Sequence, residues 1–176
     1  KKILVANRGE IALRVLKTAK EMNIKVVTIF AEDDKTLPHA LFSDEAYSLG
    51  SGTLAETYLN KKKIVDIAKK CGADAIHPGY GFLSENEEFA RLVESSGIIF
   101  IGPTPESIVL MGDKIGSKKA LEKINIPLTP GYHGDDQTDE NLAKEAKKIG
   151  YPVLIKASAG GGGKGMRIVH QDSDLL

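Results

Sequence analysis

The first thirty or so residues admit few folds. Ile3-Leu4-Val5-Ala6 is a short apolar run, followed by the loop Asn7-Arg8-Gly9-Glu10. Ala12, Val15, Leu16, Ala19 and Met22 then recur at helical spacing, which predicts one inward-facing helix stripe. Glu10 near the helix start and Lys17 and Lys20 towards its end suit the helix dipole. Lys25-Val26-Val27-Thr28-Ile29-Phe30 reads as a second strand. Strand, helix and strand at this spacing require parallel pairing with a right-handed crossover, so the chain is committed to an α/β fold.

The pattern continues in the same style. A short helix is expected over Thr36–Leu41, with Pro38 early where it is tolerated, and a strand over Ala46–Leu49. Ile64, Ile67, Ala68 and Cys71 stripe the next helix, ended by Gly72, and Ala73–Ile76 gives another strand. Asn86 starts a helix with Phe89, Leu92 and Val93 inward, and Ile98–Ile101 closes the sheet. An α/β domain is therefore expected to be complete by about residue 102, where Gly102-Pro103 marks a boundary. Beyond it a helical pattern runs through Ser107, Met111, Lys114 and Leu121, weakened by Gly112 and Gly116. Pro127 and Pro130-Gly131 break the chain, and Leu142, Ala146 and Ile149 stripe a last helix ending at Gly150.

A second feature bears on chemistry. Val153-Leu154-Ile155-Lys156 reads as a buried strand, Gly160 through Gly163 form a turn with Lys164 behind it, and Met166-Arg167-Ile168-Val169 leaves as another strand. Glycines let backbone N–H groups close over an anion, and Lys156 and Lys164 add positive charge on either side. The spacing is not that of the P-loop, since Gly165 stands where Ser or Thr is required and no helix follows. A glycine run alone fits a hairpin tip with solvated lysines equally well; the strand-borne Lys156 favours a phosphate-binding flap.

Other motifs are excluded or left structural. The turn after the first strand holds only Gly9, so a dinucleotide fingerprint is incomplete, and Glu32, Asp33 and Asp34 read as a solvated loop. His77-Pro78-Gly79-Tyr80-Gly81-Phe82-Leu83-Ser84-Glu85-Asn86 is too rich in turn formers to extend a strand and sits where open α/β sheets carry ligands. His77 has no Cys, His or acid at ligand spacing and reads as a structural histidine. Lys+Arg and Asp+Glu each number 24 among 176 residues, so electrostatics imply no nucleic-acid partner. A single Cys71 excludes an internal disulfide and fits a reducing compartment, and no apolar run is long enough to span a bilayer. Strands or helices are expected to run into both chain ends, which reads as a piece of a longer chain.

Four stretches together resemble the biotin carboxylases of biotin-dependent carboxylases. They are Ala6 through Ala12, His77 through Asn86, Met111-Gly112-Asp113-Lys114, and Ile155-Lys156-Ala157 with the glycine loop. The resemblance covers essentially the whole chain and implies a Rossmann-like parallel-sheet domain (pre-ATP-grasp), expected at residues 1–112. The truncated start of an ATP-grasp domain is expected at 113–176. It implies ATP-dependent carboxylation of biotin on a carrier protein or domain with bicarbonate, ahead of a carboxyltransferase component. Lys114 and Lys156 would contact ATP phosphates, Gly162 and Gly163 would donate backbone N–H groups, and Met166 would line the adenine pocket. Tyr80 matches a residue of the biotin pocket, and Arg14 lies where the family makes dimer contacts or is simply solvated. Ligands for Mg2+ and the catalytic residues are expected outside this stretch, leaving the fragment inactive. A homodimer or larger assembly, in the cytoplasm or mitochondrial matrix and not secreted, is implied. Gly131–Gln137 most resembles the corresponding loop of methylcrotonoyl-CoA carboxylases, while pyruvate, acetyl-CoA, propionyl-CoA and urea carboxylases share the rest. Another ATP-grasp ligase and a purely structural folding or dimerisation module are the competing readings.

Overall fold

Five parallel strands form the sheet of the first unit in the order β3-β2-β1-β4-β5 in a computed structural model that describes residues 1–156 and 165–175. The chain divides into two units, Lys1–Leu110 and Met111–Leu176. In the first, β1 (Lys2–Val5) leads into α1 (Gly9–Glu21) and returns as β2 (Lys25–Phe30), paired parallel from Lys2 opposite Lys25 to Val5 opposite Thr28. Next come α2 (Pro38–Phe42) and β3 (Glu45–Ser48), which extends the sheet beside β2. The chain then crosses back through α3 (Lys61–Cys71) to place β4 (Ala75–His77) on the other side of β1. After α4 (Glu87–Ser95), β5 (Ile99–Phe100) forms the edge.

Alternation along the strands explains the two layers. Ile3 and Val5 of β1 pack with Ala12, Leu16 and Ala19 of α1 on one face. Leu4 packs on the opposite face with Ile64 and Ala68 of α3 and Phe89 and Val93 of α4. Strands buried on both faces are near-continuously apolar, as KVVTIF is. Local signals set the ends: Asn60 and Asn86 cap α3 and α4 by accepting from the Lys63 and Phe89 amides. Gly72 ends α3 in the left-handed region. Met22, expected on the inward stripe, is instead 64% exposed, because α1 stops at Glu21 and Met22 is already its C-cap.

His39 of α2 is fully buried, and neither ring nitrogen has a hydrogen-bond partner. Burial, foremost, lowers its pKa, with Asp34 opposing and Arg8 adding to it. Burial lowers that of His77 as well. A histidine whose folded pKa is depressed binds fewer protons folded than unfolded. Its stability is therefore fully present above the unfolded value near 6.5 and is lost as pH falls below it. The thermal midpoint is expected to drop between pH 7.5 and pH 5.5, and His39→Leu to flatten that slope. Parallel slopes for the two proteins would exclude His39 as the source.

The second unit begins on the last turn of α5 (Pro105–Gly112). The helical pattern expected through Lys114 is cut at Asp113, whose carboxylate accepts from the Ile115 amide at 3.0 Å and caps α6 (Lys114–Glu122). A polar segment then leads to α7 (Asp139–Ile149), capped by Thr138. β6 (Val153–Lys156) and β7 (Met166–Val169) pair antiparallel as a two-stranded sheet. Val153 and Val169 pack with Ala143 and Ala146 of α7 and with Leu175. The expectation that β6 is buried fails: only Val153 is half-buried, and Leu154 and Ile155 are 45% and 38% exposed. Among the described residues α7 packs on the side of Val153 and Val169, while Leu154 and Ile168 on the other side of this two-stranded sheet stay exposed. The helix expected at the chain's end is a 3-10 turn over Asp172–Asp174.

Candidate functional site

The strand order places the first candidate site. The chain builds outward from β1 to β3 and then restarts on β1's other side with β4, so the topological switch lies between β1 and β4. Ligands of open α/β sheets bind in the crevice beyond the carboxyl ends at such a point. The two loops there are Ala6–Arg8 after β1 and His77–Asn86, which opens on the last residue of β4.

Asn7 joins them. It is 3% exposed, and its side-chain amide donates to the Pro78 carbonyl at 2.7 Å and the Tyr80 carbonyl at 2.9 Å. Its oxygen accepts from the Arg8 amide at 2.9 Å. Gly79 passes so close that a Cβ there would sit 2.7 Å from Asn7 Nδ2 and 3.1 Å from Ile11. The Gly79 amide donates to His77 Nδ1 at 3.0 Å, so His77 holds its own loop, in keeping with the structural reading. Tyr80 projects outward, 64% exposed, with its hydroxyl 3.3 Å from Glu10 Oε2.

Arg8 brings in a residue that sequence reasoning misplaced. Asp34, expected in a solvated loop, is 6% exposed in a 3-10 turn after β2. Its Oδ1 accepts from Arg8 Nη2 at 2.9 Å and its Oδ2 from the Tyr58 hydroxyl at 2.7 Å. Burial, and then the bond to Asp34, pushes the Tyr58 hydroxyl well above the ordinary range, so it remains a donor. The missed signal was positional. Arg8 follows β1 and Asp34 follows β2, and adjacent parallel strands bring their carboxyl ends together.

The second candidate site is on the β6–β7 hairpin. Register sets Lys156 directly opposite Met166, as the last pair before the glycine-rich connection. Directly opposed residues share a face, so Leu154 and Ile168 lie on the same side as Lys156 and Met166. All four are exposed, Met166 by 48% and Ile168 by 61%. Among the described residues this is an apolar strip with Lys156 at the end nearest the loop. Lys114 is on a separate element, the first residue of α6. Gly162, Gly163 and Lys164 lie outside the described residues. Among the described residues no group of three or more His, Cys, Asp or Glu side chains is placed to hold a metal ion, and no helix is long and apolar enough to cross a membrane.

The structure is therefore that of an α/β protein whose parallel-sheet unit carries two loops at its switch point and is followed by a hairpin with a glycine-rich connection. The family described as "Biotin carboxylase, N-terminal domain" matches residues 1–108, and "Carbamoyl-phosphate synthase L chain, ATP binding domain" matches residues 113–176. The chain belongs to the biotin carboxylase family. The mitochondrial methylcrotonoyl-CoA carboxylase subunit alpha of Dictyostelium discoideum is 56% identical over 174 residues, 99% of this chain and 25% of that protein. The biotin carboxylase domain dimer of Hydrogenobacter thermophilus 2-oxoglutarate carboxylase, solved with MgADP, ADP and bicarbonate, superposes with a TM-score of 0.87. It is 53% identical across 99% of this chain and 38% of that one. The biotin carboxylase of Campylobacter jejuni, solved as a beta-gamma-ATP complex, gives a TM-score of 0.90 at 46% identity, over 99% of this chain and 39% of that one. The chain thus spans about a quarter to two-fifths of these three relatives.

Proposed function

We propose that this chain is the amino-terminal portion of a biotin carboxylase that uses ATP and bicarbonate to carboxylate biotin on a carrier protein or domain. The observation that carries the reading is the pairing of Lys156 with Met166 on an exposed strip beside the glycine loop. An apolar surface suits a purine ring, and a lysine at its end suits phosphate oxygens. Relatives solved with ADP and with an ATP analogue support the same assignment. Within it, Lys156 and Lys114 neutralise phosphate charge, Met166 lies against adenine, and Gly162 and Gly163 donate backbone N–H groups. Neutralisation and positioning are the main demands of phosphoryl transfer. Mg2+, supplying further neutralisation, would be held by residues beyond this stretch, as would the catalytic acid and base. The isolated chain is accordingly inactive.

The outward Tyr80 on the clamped switch-point loop is assigned to the biotin subsite. Domain limits are placed at 1–112 and 113–176, supported by the compact division at Met111 and by Asp113 capping a new helix. A homodimer or larger assembly with a carboxyltransferase is the expected context, in the cytoplasm or the mitochondrial matrix. Methylcrotonoyl-CoA is the favoured acyl acceptor of the whole enzyme, on the strength of the Dictyostelium relative. The 53% identity to a 2-oxoglutarate carboxylase small subunit shows how little this region discriminates acceptors.

The test is bicarbonate-dependent ATP hydrolysis by the full-length protein, with and without free biotin. Stimulation by biotin is expected. Indifference to biotin with stimulation by ammonia or another amine would move the chain to a different ATP-grasp ligase.

A further inference from the structure

The loop that carries Tyr80 is bent in an unusual way. Gly79, Gly81 and Phe82 have φ of +69°, +67° and +43°, so three of four consecutive residues occupy the left-handed region. For the two glycines this costs little, but for a bulky side chain such as Phe82 it is disfavoured and persists only where surroundings impose it. Tyr58 packs directly against that side chain. Its ring stacks on that of Phe82 with centroids 5.4 Å apart and planes 13° from parallel.

Tyr58 is itself fixed. It is 1% exposed, its hydroxyl donates to Asp34 at 2.7 Å, and it accepts from the Ala31 amide at 3.0 Å. The second oxygen of Asp34 holds Arg8, whose guanidinium carbon lies 5.7 Å from the centre of the Tyr58 ring. One buried carboxylate therefore ties the loop after β1 to the ring that supports the loop after β4. Asn7 ties the same two loops independently, through the Pro78 and Tyr80 carbonyls.

We propose that Asp34 and Tyr58 are positioning residues which, through the Tyr58–Phe82 stack, set the conformation of the loop presenting Tyr80. The proposal rests on the assignment of Tyr80 to the biotin subsite. Neither residue belongs to the proposed ATP strip, which lies in the other unit of the chain. Loosening the pair should act on biotin and spare ATP hydrolysis in its absence.

Tyr58→Phe removes only the hydroxyl and keeps the ring; Asp34→Asn keeps the shape and removes the charge. Both are made in the full-length protein and read in two ways. Amide exchange at residues 79–83 is expected to quicken by about tenfold in each variant while the strands stay protected. The KM for free biotin is expected to rise about five- to tenfold, with biotin-independent ATP hydrolysis within roughly twofold of the parent. Unchanged exchange at 79–83 would overturn the coupling. ATP hydrolysis falling in step with biotin carboxylation would reduce both residues to general structural roles and overturn the positioning claim. If Asp34→Asn fails to fold, Tyr58→Phe decides alone. A parent protein that ignores biotin would sink the biotin carboxylase reading, and the exchange measurement would then still decide whether the pair controls the loop.

Discussion

Replacing Lys156 with alanine in the full-length protein is expected to lower ATP turnover by about two to three orders of magnitude, the cost typical of removing one preorganised charge-stabilising donor. The side chain is exposed at the end of β6, so its removal takes no packing from the core. Surface substitutions of this kind change stability by no more than about half a kcal/mol, and the thermal midpoint should hold. Activity and stability are thereby separated. Lys156→Arg keeps a positive charge but replaces a compact ammonium with a broad planar group, and should recover only part of the rate. If the role is contact with phosphate oxygens as charge moves in the transition state, kcat falls with kcat/KM. A rise in the KM for ATP alone would mean that Lys156 binds ground state and transition state equally. Unchanged ATP kinetics in Lys156→Ala would remove it from the site.

What could be read in advance follows from how far each signal reaches along the chain. Lys25–Phe30 is a strand with the expected limits because a β-branched run buried on both faces declares itself locally. The ends of α3 and α4 were legible for the same reason, since Gly72 and Asn86 act on residues within one turn. Helix stripes held at Ala12, Leu16 and Ala19 and failed at Met22, one residue past the helix end. Asp34 was misread because its partners are remote: Tyr58 lies 24 residues later and Arg8 lies 26 earlier. Burial of an acid depends on what the fold brings to it, and spacing within a loop carries no trace of that. β6 failed in the opposite sense. An apolar run reports that a strand can be buried, whereas its exposure is set by how many strands and helices cover it. Of the candidate site, the pairing of Lys156 with Met166 was implicit in two strands joined by a glycine turn. The exact opposition required the register.

Gly79→Ala is expected to destabilise the first unit by roughly 3–4 kcal/mol, and the comparison with Gly81→Ala shows why. Both glycines sit at nearly the same left-handed φ, +69° and +67°. An alanine in either place pays the backbone penalty of about 1–2 kcal/mol for an L-residue there. At Gly81 that is the whole effect, because among the described residues no atom beyond its two chain neighbours would lie within 4 Å of the new Cβ. At Gly79 the Cβ would sit 2.7 Å from Asn7 Nδ2 and 3.1 Å from both Asn7 Cγ and Ile11 Cγ1. Asn7 must shift, and its buried amide then loses bonds to Pro78 and Tyr80 that water cannot replace, at about 1–3 kcal/mol. Denaturant midpoints of the two variants measure the difference directly, with the slopes confirming that the same surface unfolds. A gap of about 2 kcal/mol would show that the Asn7 clamp, and not the turn alone, holds the switch-point loop to β1. Equal losses for the two would mean that Asn7 relaxes without cost, and the clamp would then be a consequence of the loop's shape rather than its cause.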